Sequence, residues 1–177
     1  MMEWLWRDEA VDVDVILKFA TSGGHLEVMK WAKEQGCRLH RRLCNCAASG
    51  GKVDAMVWLR ENGCTWTEET TLAAASCGQL AMLKWLRDLG CPWDSRTCAY
   101  ATNKGHFEVL KWARENGCSW DADVCSYAAF YGRLDILKWA REEGCPWDEG
   151  MCLNAAKSGH VEVLKWAREN GYIWDDK

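Results

Sequence analysis

Six tryptophans, Trp31, Trp58, Trp85, Trp112, Trp139 and Trp166, stand 27 residues apart with no insertion or deletion between them. Gly24, Gly51, Gly78, Gly105, Gly132 and Gly159 keep the same step, as do Gly36, Gly63, Gly90, Gly117, Gly144 and Gly171. So does a second tryptophan series, Trp66, Trp93, Trp120, Trp147 and Trp174, with Leu39 in its first place. A strict period of this length describes copies of one supersecondary unit, stacked so that each covers its neighbour's apolar face. Six repeats follow, at 13–39, 40–66, 67–93, 94–120, 121–147 and 148–174, with 1–12 ahead of them as an N-terminal cap segment and 175–177 as a tail.

Each repeat reads as two short helices. In the last, the first helix is expected over 149–158 and the second over 161–170. Thr67, Asp94, Asp121 and Asp148 stand where an N-cap side chain accepts from orphan amides of the first helix. The second helix carries acids in its first turn (Glu27, Asp54, Glu108, Asp135, Glu162) and Lys33 or an arginine in its last (Arg60, Arg87, Arg114, Arg141, Arg168), both matched to the helix dipole. The closing glycine fits a left-handed C′ position, and Pro92 and Pro146 two residues later forbid continuation. Helices of about ten residues are marginal alone. The wide apolar face of the second helix, for example Val109, Leu110, Trp112 and Ala113, suits contact with both adjoining repeats. The fold class is therefore all-α, a helical-hairpin solenoid.

The segments GHFEVLKWARENG (105–117) and GHVEVLKWARENG (159–171) resemble the core of ankyrin repeats. The pairs Ala47-Ala48, Ala74-Ala75, Ala128-Ala129 and Ala155-Ala156 match that family's first-helix Ala-Ala, and Trp147-Asp148 stands where the family has Val-Asn. Ankyrin repeats run about 33 residues. The missing six fall at the β-turn finger, and the Thr-Pro-Leu-His motif is absent. The chain thus resembles a short ankyrin repeat without most of its finger, over 13–174. The resemblance implies a non-enzymatic scaffold or adaptor that binds a protein partner.

Thirteen tryptophans and eleven cysteines are the abnormal counts. The periodic indoles are expected to be core, filling volume that the lost fingers leave open; a platform for stacked bases or sugars would need exposed rings. Cys37, Cys64, Cys91, Cys118 and Cys145 follow the closing glycine, and Cys44, Cys98, Cys125 and Cys152 lie seven residues after Cys37, Cys91, Cys118 and Cys145, in the next first helix. Thr71 and Tyr172 interrupt the two series without breaking the period, so small buried apolar residues are the main reading. The alternative is a thiol-based redox or metal-binding protein, although a spacing of seven is not a zinc pattern. Three histidines, His25, His106 and His160, share a position held elsewhere by Lys52, Gln79 and Arg133, which no ligand or catalytic base tolerates. No catalytic residue, metal site or cofactor is assigned.

The formal net charge is −4, with 26 acids and 22 bases interspersed, which disfavours nucleic acid or an anionic membrane as partner. The basic group of Arg38, His40, Arg41 and Arg42 is the local exception. No apolar run approaches the ~18 residues of a spanning helix, and MMEWLWRDEA has no secretory pattern, so a cytoplasmic location is expected.

Function should lie where the copies differ. The second helix hardly varies, whereas the first does. The pair before the turn reads Ser49-Gly50, Ser76-Cys77, Asn103-Lys104, Phe130-Tyr131 and Lys157-Ser158; the resemblance places it on the concave recognition face. A second variable slot reads Cys46, Ala73, Tyr100, Tyr127 and Asn154. Three of the four tyrosines fall in these slots, and aromatic anchors are typical of interface hot spots. Tyr100, Tyr127, Phe130 and Tyr131 are the candidate partner-binding patch, with Asn103, Lys104, Arg96 and Asp123 as rim. At the ends, Trp4, Leu5 and Trp6 are expected to cap the first repeat. The last repeat keeps an internal pattern at Val161, Val163, Leu164, Trp166 and Ala167, so either residues 173–177 cap it or that end self-associates.

Overall fold

A computed structural model describes residues 13–172. The expected caps at Trp4, Leu5 and Trp6 and at residues 173–177 lie outside the described residues. Within them there are twelve helices and no strand: α1 (Val13–Gly23), α2 (Leu26–Glu34), α3 (Arg42–Ser49), α4 (Val53–Glu61), α5 (Glu68–Ser76), α6 (Leu80–Asp88), α7 (Ser95–Lys104), α8 (Phe107–Glu115), α9 (Ala122–Phe130), α10 (Leu134–Glu142), α11 (Glu149–Lys157) and α12 (Val161–Glu169). The six even-numbered helices are nine residues each and begin 27 residues apart.

The local signals act as the residue types dictate. Asp94 and Asp121 sit in extended N-cap geometry, and their side chains accept from the backbone amides of Arg96 and Asp123. Thr67 Oγ1 accepts from the Glu69 amide at 3.3 Å. Asp148 adopts the same backbone geometry, but its side chain makes no cap bond. Every described residue in the left-handed region is a glycine of one of the two series.

Two compact units divide the chain, one of residues 1–74 with 79–92, the other of 75–78 with 93–177. In the first, α1 packs on α2 and α3, α3 on α4, and α2 on α4. Its core is Leu17, Met29, Leu43, Met56, Leu59, Met82, Leu83 and Leu86, all at most 1% exposed. In the second, α7 packs on α8 and α9, α9 on α10 and α11, and α11 on α12, around Leu110, Val124, Leu137 and Met151. First helices pack on one another within each unit, and their paired alanines Ala47, Ala48, Ala128 and Ala129 have no exposed surface. A small Cβ on each side lets successive first helices approach closely, while leucines and methionines of the second helices fill the remaining depth.

The tryptophans are not in that depth. Trp58, Trp66, Trp85, Trp93, Trp112, Trp120, Trp139, Trp147 and Trp166 are half-buried, and Trp31 is exposed. The linker indole of one hairpin meets the second-helix indole of the next edge to face: Trp66 with Trp85 at 6.0 Å in the first unit, and Trp93 with Trp112 at 5.9 Å, Trp120 with Trp139 at 5.6 Å and Trp147 with Trp166 at 5.8 Å in the second. The expectation of core rings is corrected to a seam of rings with one side on solvent. An indole is too large for the alanine-lined contact, but at the margin it buries a face and adds about 0.5–1.5 kcal/mol per aromatic pair. Arginines close the seam. Arg60, Arg114 and Arg141 stack 4.1, 4.4 and 4.1 Å from the centroids of Trp66, Trp120 and Trp147. Arg60, Arg87 and Arg141 also donate to the carbonyl oxygens of Cys64, Cys91 and Cys145.

Candidate functional site

The first helices position the variable side chains. On α9, Asp121 caps the helix, Asp123 occupies its first turn, Tyr127 lies one turn on, and Phe130 ends it. Tyr100 holds the matching place on α7. The structure brings these residues together. The Tyr100 and Tyr127 rings lie 6.4 Å apart at 59°, and Phe130 and Tyr131 lie edge to face at 4.9 Å. The Asn103 side chain lies close enough to the Tyr127 hydroxyl to influence its titration. Tyr100, Phe130 and Tyr131 are 37, 39 and 44% exposed, and Tyr127 is half-buried.

The rim is less uniform than expected. Lys104 is exposed. Arg96 folds back on its own helix terminus, its guanidinium 2.8 Å from the Asp94 carboxylate. Asp123 is exposed, and partial desolvation followed by the nearby charges of Asp121 and Asp148 pushes its carboxyl above the ordinary range. One participant was not legible in the sequence. Arg133, from the variable histidine column, donates Nη2 to the Asn103 carbonyl at 3.0 Å and lies 5.3 Å from the Tyr131 centroid. Only its offset of 30 residues from Asn103, one period plus three, carries that relation.

The cysteines pair across a different spacing from the one singled out above. Partners are 20 residues apart within one hairpin: Cys44 lies beside Cys64, Cys98 beside Cys118, and Cys125 beside Cys145, close enough for each thiol to shift its partner's titration. Where the second thiol is missing, Tyr172 takes its place and hydrogen-bonds Cys152. Thr71 takes the place of the first thiol and donates to the Pro92 carbonyl at 2.8 Å. Cys118 and Cys145 also donate to the carbonyls of Asp94 and Asp121, at 3.3 and 3.4 Å. None of the eleven cysteines forms a disulfide. Burial pushes the Cys44 thiol up to about 12 and that of Cys91 to about 11. Such thiols are protonated and unreactive at neutral pH. Among the described residues, no group of three or more His, Cys, Asp or Glu side chains is placed to hold a metal ion.

In the first unit, Val15, Ile16, Phe19, Ala20, His25 and Val28 line an open apolar groove of about 460 Å³. Phe19 occupies the slot of Tyr100 and Tyr127, three and four periods earlier, and is exposed.

Helical hairpins of constant length, glycine-turned and stacked through paired alanines, define a helical repeat protein. Its fold is the ankyrin-repeat fold: the structure matches the crystal structure of the human ASB11 ankyrin repeat domain with a TM-score of 0.68 and 21% sequence identity, covering 91% of this chain and 86% of that chain. No protein-family model and no curated protein matches the sequence. Among the described residues, no helix is long and apolar enough to cross a membrane.

Proposed function

We propose that the chain is a non-enzymatic protein-binding module that engages a protein partner through the first-helix surface of α7 and α9. Tyr100, Tyr127, Phe130 and Tyr131 are the anchors, and Asn103, Lys104, Arg96 and Asp123 form the rim. The observation that carries this reading is the adjoining set of aromatic side chains, partly open to solvent, in slots that elsewhere hold Cys46, Ala73, Asn154, Ser49 and Gly50. Aromatic residues held by neighbours lose little entropy on contact, which is why they dominate hot spots. The ankyrin fold, whose neighbour above is named as a repeat domain, supports an interaction role. The eleven free cysteines fit a reducing, cytoplasmic setting. Replacing Phe130 and Tyr131 together by Ala should abolish partner capture and leave the thermal midpoint within a few degrees of wild type. A loss of stability matching the loss of capture would assign the pair to packing instead.

A second reading concerns the last hairpin. Leu153 and Val161 are 59 and 55% exposed there, on α11 and α12. We infer a second copy of the chain as the occupant of this face. Light scattering of the purified chain tests it, and a strict monomer at high concentration removes it.

A further inference from the structure

We propose, resting on the patch reading above, that the partner segment is basic: a lysine or arginine side chain of the partner seats on the Tyr127 ring beside Tyr100, facing the Asp123 carboxylate. The argument begins with a charge reversal between two copies of the same slot. On α7 the third residue of the repeat is Arg96, which neutralises the N-cap Asp94 at 2.8 Å. On α9, 27 residues later, that slot holds Asp123. The N-cap Asp121 therefore has a second carboxylate in place of its guanidinium, and Asp148 of the following hairpin is also within electrostatic range of Asp123. None of these three carboxylates has an ion pair among the described residues, whereas four Lys–Glu and Arg–Asp pairs form elsewhere on the surface.

The uncompensated charge lies against an aromatic surface. Asp123 and Tyr127 are four residues apart on α9, so they share one helix face. The phenol rings of Tyr100 and Tyr127 offer π faces, which attract a cation and repel an anion. Carboxylates and ring faces are both complementary to one chemistry, a cationic donor with no acceptor of its own. Arg96 stands at the same end but is neutralised by Asp94, and the remaining opposing charges, Lys104, Arg133 and Lys157, lie toward the other ends of the first helices. Across the nine residues of α9 that is about 13 Å. The partner's cation is thus directed to the Asp123 end and its apolar residues to Phe130 and Tyr131.

The test uses the full chain as bait for a phage-displayed random peptide library, with the recovered peptides resynthesised and titrated. The expected result is a set enriched in Lys or Arg beside apolar residues. Asp123→Asn, which keeps the Asp121 cap and the shape of the side chain, weakens them about tenfold or more. Replacing the peptide's Lys or Arg by norleucine or citrulline gives the same loss, non-additive with Asp123→Asn, and raising salt from about 50 to about 500 mM weakens binding. Peptides that lack a cation or ignore Asp123→Asn, yet are lost on Phe130→Ala/Tyr131→Ala, overturn this inference and leave the patch reading standing. Peptides indifferent to both sets of variants, or no recovery above background, overturn both.

Discussion

The His106 ring places Nε2 3.1 Å from the carbonyl oxygen of Ser76, thirty residues earlier, and in doing so covers Gly78. Arg133 repeats the arrangement one hairpin later, donating to the Asn103 carbonyl across Gly105. In the first unit Gln79 and Lys52 lie over Gly51 and Gly24. This resolves why one column accepts His, Gln, Lys and Arg. What the four share is reach: each lays a polar chain over the preceding turn, and each requires that turn to lack a Cβ. The glycine is thus needed for its backbone and for its neighbour.

That double requirement is measurable. Gly78 has φ 71°, and a Cβ there would stand 2.7 Å from His106 Nδ1, whereas Gly117 has φ 83° and nothing within 4 Å. Alanine at either position meets left-handed strain of about 1–2 kcal/mol. Gly78→Ala should cost about 1 kcal/mol more, since the ring must also give up its carbonyl. Urea denaturation in a His106→Ala background should erase the excess. Equal costs at the two glycines in the wild-type background would refute the covering role.

The arginine latch gives a second expectation. Arg141 stacks 4.1 Å from the Trp147 centroid and donates to the Cys145 carbonyl at 2.6 Å. Lysine keeps the charge but loses the planar fork. Arg141→Lys should destabilise by about 1 kcal/mol and alter the tryptophan emission. An unchanged unfolding midpoint would mean that the stack contributes nothing.

Thiol chemistry separates the exposed from the buried positions. Cys77 is exposed and should react first with a chromogenic disulfide at pH 8. Cys98, buried beside Cys118, and Cys145, buried beside Cys125, are both held well above the ordinary thiol range by the neighbouring thiol and by desolvation. Together with Cys44 and Cys91 they should react only as the fold opens, because the thiolate is the attacking form. Fast labelling of these four in the native protein would instead point to the redox alternative.

Asp123 supplies a pH test. Its carboxyl is raised above 3.8 in the folded chain, first by desolvation and then by Asp121 and Asp148. A raised acid binds its proton more tightly when folded, so its effect favours folding at low pH and is lost as pH climbs through the folded value. Asp123→Asn should therefore be the more stable protein at pH 7 and equal to wild type near pH 3, by thermal melts at both. A variant less stable at pH 7 would reveal a favourable contact made by the carboxylate.

The sequence determined the period, the two helices per repeat and their ends. These follow from residues acting on their immediate neighbours: Asp94 and Asp121 on amides two positions ahead, Gly78 and Gly105 on their own φ. Such chemistry is repeated in register, so reading one copy reads them all. The tertiary structure decided the rest. It moved the indoles from the core to a seam, paired Cys98 with Cys118 instead of with a residue seven positions away, and set Tyr100 against Tyr127 and Arg133 across Asn103. Each of these depends on how one hairpin is displaced from the next and where a side chain leaves its helix. A spacing of 27 along the chain fixes the order of the copies, but their contacts are fixed only by the packing of alanine-lined helices in three dimensions.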